Sequence, residues 1–487
     1  MTDKSENKPN FQYTDLRDWI ARVEKMGELQ RVQGATWQED IGMIAEVVGH
    51  ARGSPAVLVD EIPGHPKGYR VLVNSFHSLK RIALTLGLPL DADTWTTLRA
   101  WQERIKNARP LEPRYVEDGP IFENIFTGDD VDVLKFPTPV WHESDGGRYF
   151  GTASSDITRD PETGWVNMGT YRVMVHDKNR VGFYISPGKH GRIHREKYFA
   201  KGEPCPLVVV TGINPLLYLA SCGEVPPNVS ETAWAGGIRG EPMKVVEGKI
   251  TGLPIPADAE IALEGFAYPN EKIVEGPFGE WTGYYASASR EEPVLQVKAI
   301  YHRNNPIIVG SPPNRPPDEQ SHYRAFMRSA LLWEEIEKAG VPDVTGVWCH
   351  EAGGSRLFVA VAIKQRYFGH ARQTMHIAAN CHTGGYLGRY VVVVDDDIDV
   401  TDLEQVIWAM CTRSDPERSI DFQKRAWSGP LDPAIKPGEK GYNSRCLIDA
   451  TRPWEWKEQF PMVSAPSPAV AKKAREKWGW LANGKKK

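Results

Sequence analysis

The chain has 487 residues, 41% hydrophobic and 25% charged, an ordinary globular composition with length for about two or three domains. Its formal net charge of −4 excludes a basic field for nucleic acid or an anionic membrane. No apolar run approaches the roughly 18 residues of a membrane span. The polar residues 1–10 predict no secretory signal, and six scattered cysteines indicate reduced thiols. We therefore expect a cytoplasmic protein.

The first hundred residues alternate between helical and strand patterns. Thr14 can cap a helix that Gly27 ends, and residues 56–59 and 69–73 are typical of short buried strands. This alternation predicts a small α/β domain. We assign it, with a charged linker, to residues 1–118.

From residue 124 to residue 309 the pattern changes to short β-rich runs separated by Gly, Pro and Asn. Such runs are typical of an antiparallel barrel or sandwich. We assign a split β-barrel-like domain to residues 119–312.

A proline-rich stretch at residues 312–319 precedes a second α/β region. Residues 326–339 show a helical pattern, and Thr401 with Glu404 forms a capping box for a later helix. We assign a C-terminal α/β domain to residues 313–450 and a helical, basic tail to residues 451–487. The whole chain is therefore predicted to be an α+β multidomain protein.

Two carboxylates stand five positions apart in Glu275-Gly276-Pro277-Phe278-Gly279-Glu280. Proline fixes φ and glycine permits positive φ, so the segment should form a tight loop that aims both acids at one volume. Paired carboxylates push their pKa values apart, which keeps a proton donor ready near neutral pH. The alternative is an acidic surface turn.

An amide, an imidazole and a carboxylate follow in separate segments at Asn167, His190 and Glu231. This O/N/O set suits Mn²⁺ or Mg²⁺ together with phosphate oxygens. Taken singly, His190 is more often a satisfied turn histidine and Asn167 a capping or turn residue.

Two other patterns have the spacing of metal sites. His190 and His194 match zinc ligands on a helix, but Gly188 and Gly191 argue against a helix there, and no nearby Glu completes a metalloprotease motif. The acidic run at residues 395–397 follows a buried strand. It is more often the solvated end of a strand than a Mg²⁺ site.

Four motifs together resemble the UbiD-like decarboxylases in order and spacing. They are Asn-x-Gly-x-Tyr-Arg at residues 167–172, the Pro-x-x-His turn at 187–190, Ser-Glu at 230–231, and Glu-Gly-Pro-Phe-Gly-Glu at 275–280. That family uses prenylated FMN to add or remove CO₂ at unsaturated carbons. The resemblance covers roughly residues 14–450. It implies a flavin-binding central domain and reversible, non-oxidative decarboxylation of an aromatic, heteroaromatic or α,β-unsaturated acid.

The resemblance also implies roles for individual residues. Asn167, His190 and Glu231 would bind a divalent metal, usually Mn²⁺, which clamps the flavin phosphate. A K⁺ ion would sit beside it, on Glu231 and on backbone carbonyls of residues 221–223. The residues expected to contact the cofactor are Asn167, Met168, Gly169, Thr170, Tyr171, Arg172, Lys189, His190 and Glu231.

Arg172, Glu275 and Glu280 match the family's Glu-Arg-Glu network. Loss of CO₂ leaves an electron pair that no side chain can delocalise, so an organic electron sink is required. Arg172 can bind the substrate carboxylate or Glu275 with its planar fork. We expect Glu280 to donate the proton and Glu275 to orient Arg172.

One position departs from the family. Thr383 stands where members often carry Lys or Arg for the phosphate, and His382 and Arg389 are the candidates to replace that cation. Candidates for the substrate wall are His322, Tyr323, Phe326, His382 and residues 427–431, while Phe278 and Trp281 could be wall or core.

Two rival functions remain open: a metal-dependent hydrolase that uses Asn167, His190 and Glu231, and a flavin-binding assembly module without catalysis. For the enzyme we expect a small unsaturated or aromatic acid and CO₂ as ligands. A flavin prenyltransferase would supply the cofactor, and the chain would form a homodimer or a larger homo-oligomer.

Overall fold

The computed structural model describes residues 11–223, 225, 228–286, 288–429, 431–436 and 438–482. The expectations for residues 1–10, for Pro430 and for the lysines at the end of the chain lie outside these ranges. Within them, no helix has the length and apolar character to cross a bilayer.

The N-terminal region alternates helices and strands, as predicted. Asp15 rather than Thr14 caps the first helix, because its side chain accepts from the backbone N–H of Asp18. Trp19 and Val23 of that helix are fully buried. The elements are α1 (Leu16–Lys25), β1 (Leu29–Gln33), α2 (Asp40–His50), β2 (Ala56–Asp60), β3 (Arg70–Val73), α3 (Leu79–Leu86) and α4 (Thr94–Asn107).

The central region is built on one antiparallel sheet. Its order is β10-β15-β14-β11-β7-β8, with β5 also paired to β15. The strands are β4 (Arg114–Tyr115), β5 (Asn124–Thr127), β6 (Tyr149–Gly151), β7 (Ser154–Arg159), β8 (Val166–Gly169), β9 (Val173–Met174), β10 (Arg180–Gly182), β11 (Cys205–Thr211), β12 (Lys244–Glu247), β13 (Pro254–Pro256), β14 (Ile261–Glu275), β15 (Arg290–His302) and β16 (Ile307–Gly310). The helices are α5 (His190–Ala200), α6 (Pro215–Cys222) and α7 (Glu231–Arg239).

The predicted barrel is not seen in the strand pairing of this part of the chain. Within the described residues, the sheet stays open because its end strands β8 and β10 do not pair with each other. Short alternating strands look the same in an open sheet and a barrel, and closure depends on pairing between strands far apart in sequence. The last strand of this region, β16, does not belong to the central sheet. It pairs in parallel with β3 in the N-terminal sheet.

The C-terminal region returns to α/β order around a five-stranded sheet, β17-β18-β19-β21-β20. Asp318 and Ser321 form a capping box at the start of α8, and Asp402, not Thr401, caps α11. The elements are α8 (Glu319–Lys338), β17 (Val344–Cys349), β18 (Phe358–Ile363), α9 (His370–Asn380), α10 (His382–Gly385), β19 (Tyr390–Asp395), α11 (Leu403–Arg413), α12 (Pro416–Ser419), β20 (Ile420–Trp427), β21 (Tyr442–Ala450) and α13 (Pro468–Ala482).

The acidic run after β19 is held by arginines. Arg413 donates to Asp395 and Asp397, each at 2.8 Å, and Arg452 reaches Asp397 as well. Asp395 is buried, so the run is more than the solvated end of a strand. Its charge is neutralised by guanidinium groups, which argues against a Mg²⁺ site there.

Candidate active site

The loop after β14 brings the carboxyl group of Glu280 close to that of Glu275. Glu275 is the last residue of β14, and Gly276 follows with φ of +86°, a conformation that favours glycine. Arg172 joins the two acids. Its Nη2 donates to Glu275 Oε2 at 2.8 Å, and its Nη1 donates to Glu280 Oε1 at 2.5 Å. The three side chains predicted to converge therefore do so.

Burial dominates the electrostatics of this triplet. It raises the pKa of Glu280 to about 7, and although Arg172 lowers that pKa, the neighbouring Glu275 raises it further. For Arg172, burial alone would lower the pKa, but the two carboxylates outweigh it and hold the pKa above its usual value. Glu280 can therefore hold or release a proton at neutral pH, while Arg172 stays charged.

Aromatic rings surround the guanidinium. Its central carbon lies 4.5 Å from the ring centroid of Tyr184 and 5.5 Å from that of Phe278. Phe278 packs against Tyr149 with a centroid separation of 4.2 Å, and the Tyr149 hydroxyl donates to Glu275 Oε1 at 3.2 Å. Phe278 thus belongs to the core and also lines the smaller cavity, and Tyr149 holds the carboxylate of Glu275 in place.

Two adjoining cavities form one cleft beside the triplet. The smaller, of about 180 Å³, is lined by Arg172 and Glu280, and the larger measures about 240 Å³. Because the two share part of their walls, a ligand can extend from one into the other. The shared residues are Thr170, Ser186, Lys189, Trp281, Arg324 and Leu431.

The larger cavity combines flat apolar walls with positive charge. Four basic side chains line it, and none of its described lining residues is Asp or Glu. Trp101, Trp234 and Trp281 contribute apolar surface. A flavin nucleotide has a flat ring system and an anionic phosphate, so the residues present fit it. The basic residues are Lys189, Arg324, Arg328 and Arg356.

Tyr171 brings two of the predicted metal ligands together. Its hydroxyl accepts from Asn167 Nδ2 at 3.3 Å and from the backbone N–H of Gly191, next to His190, at 3.2 Å. A Cβ at Gly191 would lie 2.8 Å from the Tyr171 ring, and one at Gly169 would lie 2.4 Å from its hydroxyl. The glycines of both motifs therefore make room for this tyrosine.

Glu231 is the first residue of α7 and lies next to the segment that contains Asn167. Its Oε2 accepts from the backbone N–H of Met168 at 2.7 Å, and burial raises its pKa to about 7. Among the described residues, no three His, Cys, Asp or Glu side chains cluster in a way that could hold a metal ion. His190 and Glu231 would thus need the amide of Asn167 as third ligand, and this O/N/O set suits Mn²⁺ or Mg²⁺.

The expectation that residues around His190 are not helical is wrong, because α5 begins at His190. Gly188 precedes the helix with φ of +82°, and Gly191 is accommodated within it. His194 is nevertheless occupied elsewhere, with Nδ1 3.0 Å from the hydroxyl of Thr158. The structure therefore favours a packing role for His194 over a zinc site.

Thr383 lines the larger cavity but its donors are used internally. Its backbone N–H and hydroxyl bind the two oxygens of Glu335 at 2.8 and 2.7 Å. Arg389 is paired with buried Asp432, and His382 is exposed and does not line either cavity. The four basic residues of the cavity wall are better candidates for the cation that binds the cofactor phosphate.

The predicted substrate wall is only partly correct. Tyr323 and Leu431 line the cleft, but Phe326 is a core residue, and His322 packs on His77 with ring centroids 5.2 Å apart. Trp427 is 63% exposed. The prediction missed Tyr184, Gln320 and Arg324, and the cationic Arg324 beside the chosen Tyr323 was a usable signal.

Comparisons with known proteins identify the class of protein to which this fold and this cleft belong. Three domain families described as parts of 3-octaprenyl-4-hydroxybenzoate carboxy-lyase match in order. These are the N-terminal domain at residues 20–105, the Rift-related domain at 114–316 and the C-terminal domain at 321–450. The chain belongs to the UbiD family of decarboxylases.

Relatives match over nearly their whole length. The chain is 31% identical to pyrrole-2-carboxylic acid decarboxylase of Pseudomonas aeruginosa, over 95% of this chain and 97% of that protein. Vanillic acid decarboxylase of Sedimentibacter hydroxybenzoicus has 29% identity and a TM-score of 0.83, covering 96% and 99%. An evolved dimeric form of the UbiD-class enzyme HmfF from Pelotomaculum thermopropionicum, in complex with prFMN, has 27% identity and a TM-score of 0.79, covering 94% and 98%.

Proposed function

We propose that this protein catalyses the reversible, non-oxidative decarboxylation of an aromatic or heteroaromatic acid with prenylated FMN, and that Glu280 donates the proton. The observation that carries the proposal is the direct bonding of Arg172 to both Glu275 and Glu280 at the wall of a cleft that fits a flavin. The activities named for the two decarboxylase relatives, on pyrrole-2-carboxylic and vanillic acid, support an aromatic ring.

The cofactor would be held by residues 167–172, by Lys189 and His190, and by Glu231. Asn167, His190 and Glu231 would bind Mn²⁺ or Mg²⁺, with K⁺ on carbonyls of residues 221–223. When bound, prenylated FMN supplies the electron sink that decarboxylation requires.

The chain's own residues position the acid and move the proton. Arg172 lines the smaller cavity and stays charged, so its guanidinium can attract the substrate carboxylate there. Glu275 keeps the fork in place, and Glu280 delivers its proton to the carbon that loses CO₂. Its pKa of about 7 suits a general acid at neutral pH.

Aromatic side chains form part of the wall at which this step takes place. Tyr184, Phe278 and Trp281 line the smaller cavity, and apolar walls strengthen the charge interactions around Glu280. Flat rings also favour a flat substrate, which supports an aromatic over an aliphatic acid. The dimeric relative supports the proposal of a homodimer or larger assembly.

The test is to produce the protein together with a flavin prenyltransferase and offer it a panel of aromatic and heteroaromatic acids. We expect near-ultraviolet and visible flavin absorption, with CO₂ release or H/D exchange at the product carbon. A metal-dependent hydrolase would act without flavin, and an assembly module would keep the flavin but exchange no proton on any acid. Either outcome contradicts the proposal.

A further inference from the structure

The cleft contains a cation that the proposed proton transfer does not use. Arg324 lies on α8, in the part of the wall that the two cavities share. It makes no hydrogen bond and no ion pair with any residue that the structure describes, and its guanidinium carbon lies 5.8 Å from the Tyr323 ring centroid. A guanidinium carries five donors, and leaving them unpaired beside apolar walls is costly.

Two other arginines of the cleft, unlike Arg324, have hydrogen-bond partners for their guanidinium groups. Arg172 is held by two carboxylates, and Arg328, one turn along α8, donates to the backbone carbonyls of Ser355 and Thr383. Arg324 has neither kind of partner among the described residues. Its donors are available to an anion that enters the cleft.

The groups around Arg324 do not neutralise it. The hydroxyl of Tyr323 lies 3.3 Å from that of Tyr218 and 3.9 Å from the thiol of Cys222, so these neutral groups bond among themselves. The carboxylate of Asp318 accepts from the backbone N–H groups of Ser321 and Asn314, as helix caps do. The positive charge therefore faces the cleft.

We infer that Arg324 binds a second carboxylate of the substrate, so that the preferred substrate is an aromatic or heteroaromatic dicarboxylic acid. The inference rests on the proposed function and deepens it. One carboxylate leaves as CO₂ beside Arg172 and Glu280, and the retained one is held by Arg324. A planar guanidinium fork suits this task because it can bind a carboxylate through two parallel hydrogen bonds.

The arrangement also couples binding to proton donation. The charge of Arg324 is among the influences that lower the pKa of Glu280, against burial and Glu275, which raise it. A bound carboxylate neutralises that charge and removes its effect. Glu280 then holds its proton more firmly, which keeps the donor loaded while a diacid is in place.

The experiment uses flavin-loaded protein and substrates in matched pairs: pyrrole-2-carboxylate with pyrrole-2,5-dicarboxylate, and 4-hydroxybenzoate with 4-hydroxyisophthalate. The wild type should prefer a diacid. Arg324→Met should lose about 10- to 100-fold in kcat/KM on that diacid, mainly through KM, and clearly less on the monoacid, where the removed charge acts only through the pKa of Glu280. Arg324→Lys should recover part of the loss. Lys338→Met, on the exposed end of the same helix, removes the same charge and should change neither.

Two results would overturn the inference. Equal losses of kcat/KM on the monoacid and the diacid would show that Arg324 does not bind the second carboxylate. Loss of flavin absorption from Arg324→Met would assign Arg324 to the cofactor phosphate instead.

Calorimetry with pyrrole-2,5-dicarboxylate and 4-hydroxyisophthalate separates this inference from the proposed function. If no acid releases CO₂ but a diacid binds the wild type and not Arg324→Met, the proposed function fails and the anion site stands. If neither diacid binds the wild type, the anion site is overturned.

Discussion

Arg172 donates a hydrogen bond to Glu280, with Nη1 of the guanidinium 2.5 Å from Oε1 of the carboxyl group. The pKa of Glu280 is nevertheless about 7. Burial outweighs the attraction of the cation, since removing a carboxylate from water disfavours its charged form. The pair thus joins a permanently charged group to one that titrates near neutral pH. The predictions below start from this pair.

Replacing Glu280 by Gln should remove the proton donor and leave the binding surface. We expect flavin absorption to be retained, while CO₂ release and H/D exchange fall by roughly 10²- to 10⁴-fold. The readouts are the flavin spectrum and both rates on the best acid of the panel. Glu103→Gln on the exposed face of α4 is the matched control. Unchanged turnover in Glu280→Gln would refute the assigned donor.

Tyr149→Phe should weaken the orientation of Glu275 without disturbing the packing against Phe278. The lost hydrogen bond measures 3.2 Å, and a bond of this kind is worth about 1 kcal/mol, so we expect kcat to fall roughly 3- to 10-fold. Flavin content should stay the same. Tyr115→Phe, at an exposed position, serves as control. A loss as large as that of Glu280→Gln would place Tyr149 in the proton transfer itself.

Glu231→Gln should weaken the proposed divalent site. Loss of a partner outside the ligand shell already costs about 10- to 100-fold in metal affinity, and loss of a charged ligand should cost at least as much. We expect less bound Mn²⁺ by elemental analysis, and flavin that is lost on gel filtration. The wild type treated with EDTA should behave similarly, and Glu247→Gln should behave like the untreated wild type. Full Mn²⁺ content in Glu231→Gln would remove this residue from the ligand set.

The stability of the flavin-free protein should depend on pH through Glu280. Its pKa rises from 4.5 to about 7 on folding, so the folded state binds the proton more tightly. The contribution of Glu280 to the free energy of unfolding is fully present below about pH 4.5. It decreases by roughly 3 kcal/mol as the pH rises to about 7. Thermal unfolding between pH 5 and pH 7 should show a shallower decline for Glu280→Gln than for the wild type. Identical slopes would contradict the raised pKa, and Glu103→Gln should follow the wild type.

Thr383→Val should affect stability rather than the cofactor. The hydroxyl of Thr383 donates to Glu335 at 2.7 Å, and its removal leaves that carboxylate oxygen without this partner. We expect a loss of about 1 to 3 kcal/mol in the free energy of unfolding and unchanged flavin content. Chemical denaturation and the flavin spectrum provide the two measurements. Flavin loss from a stably folded variant would make Thr383 a phosphate ligand after all.

Much of the site could be predicted from local sequence, because its motifs are short and their chemistry is intrinsic. Gly276 and Pro277 predict a loop between Glu275 and Glu280, and the loop forms. The convergence with Arg172 required the resemblance to a family, since Arg172 lies 108 positions before Glu280. No periodicity in the sequence encodes that distance.

Local patterns failed where a tertiary contact outweighed them. Gly191 predicts a break, but it lies inside α5, where the ring of Tyr171 occupies the space that a side chain would need. A closed barrel is not seen for a related reason, since closure needs two distant strands to pair.

By itself, the sequence determined the order of α and β regions, the acidic loop and the types of the candidate ligands, because these follow from periodicity, turn residues and side-chain chemistry. Only the tertiary structure decided that the sheet stays open, that Thr383 is bound to Glu335, and that Arg324 faces the cleft without a partner among the described residues. These outcomes depend on which distant groups compete for the same donors and the same space, and that competition exists only once the chain has folded.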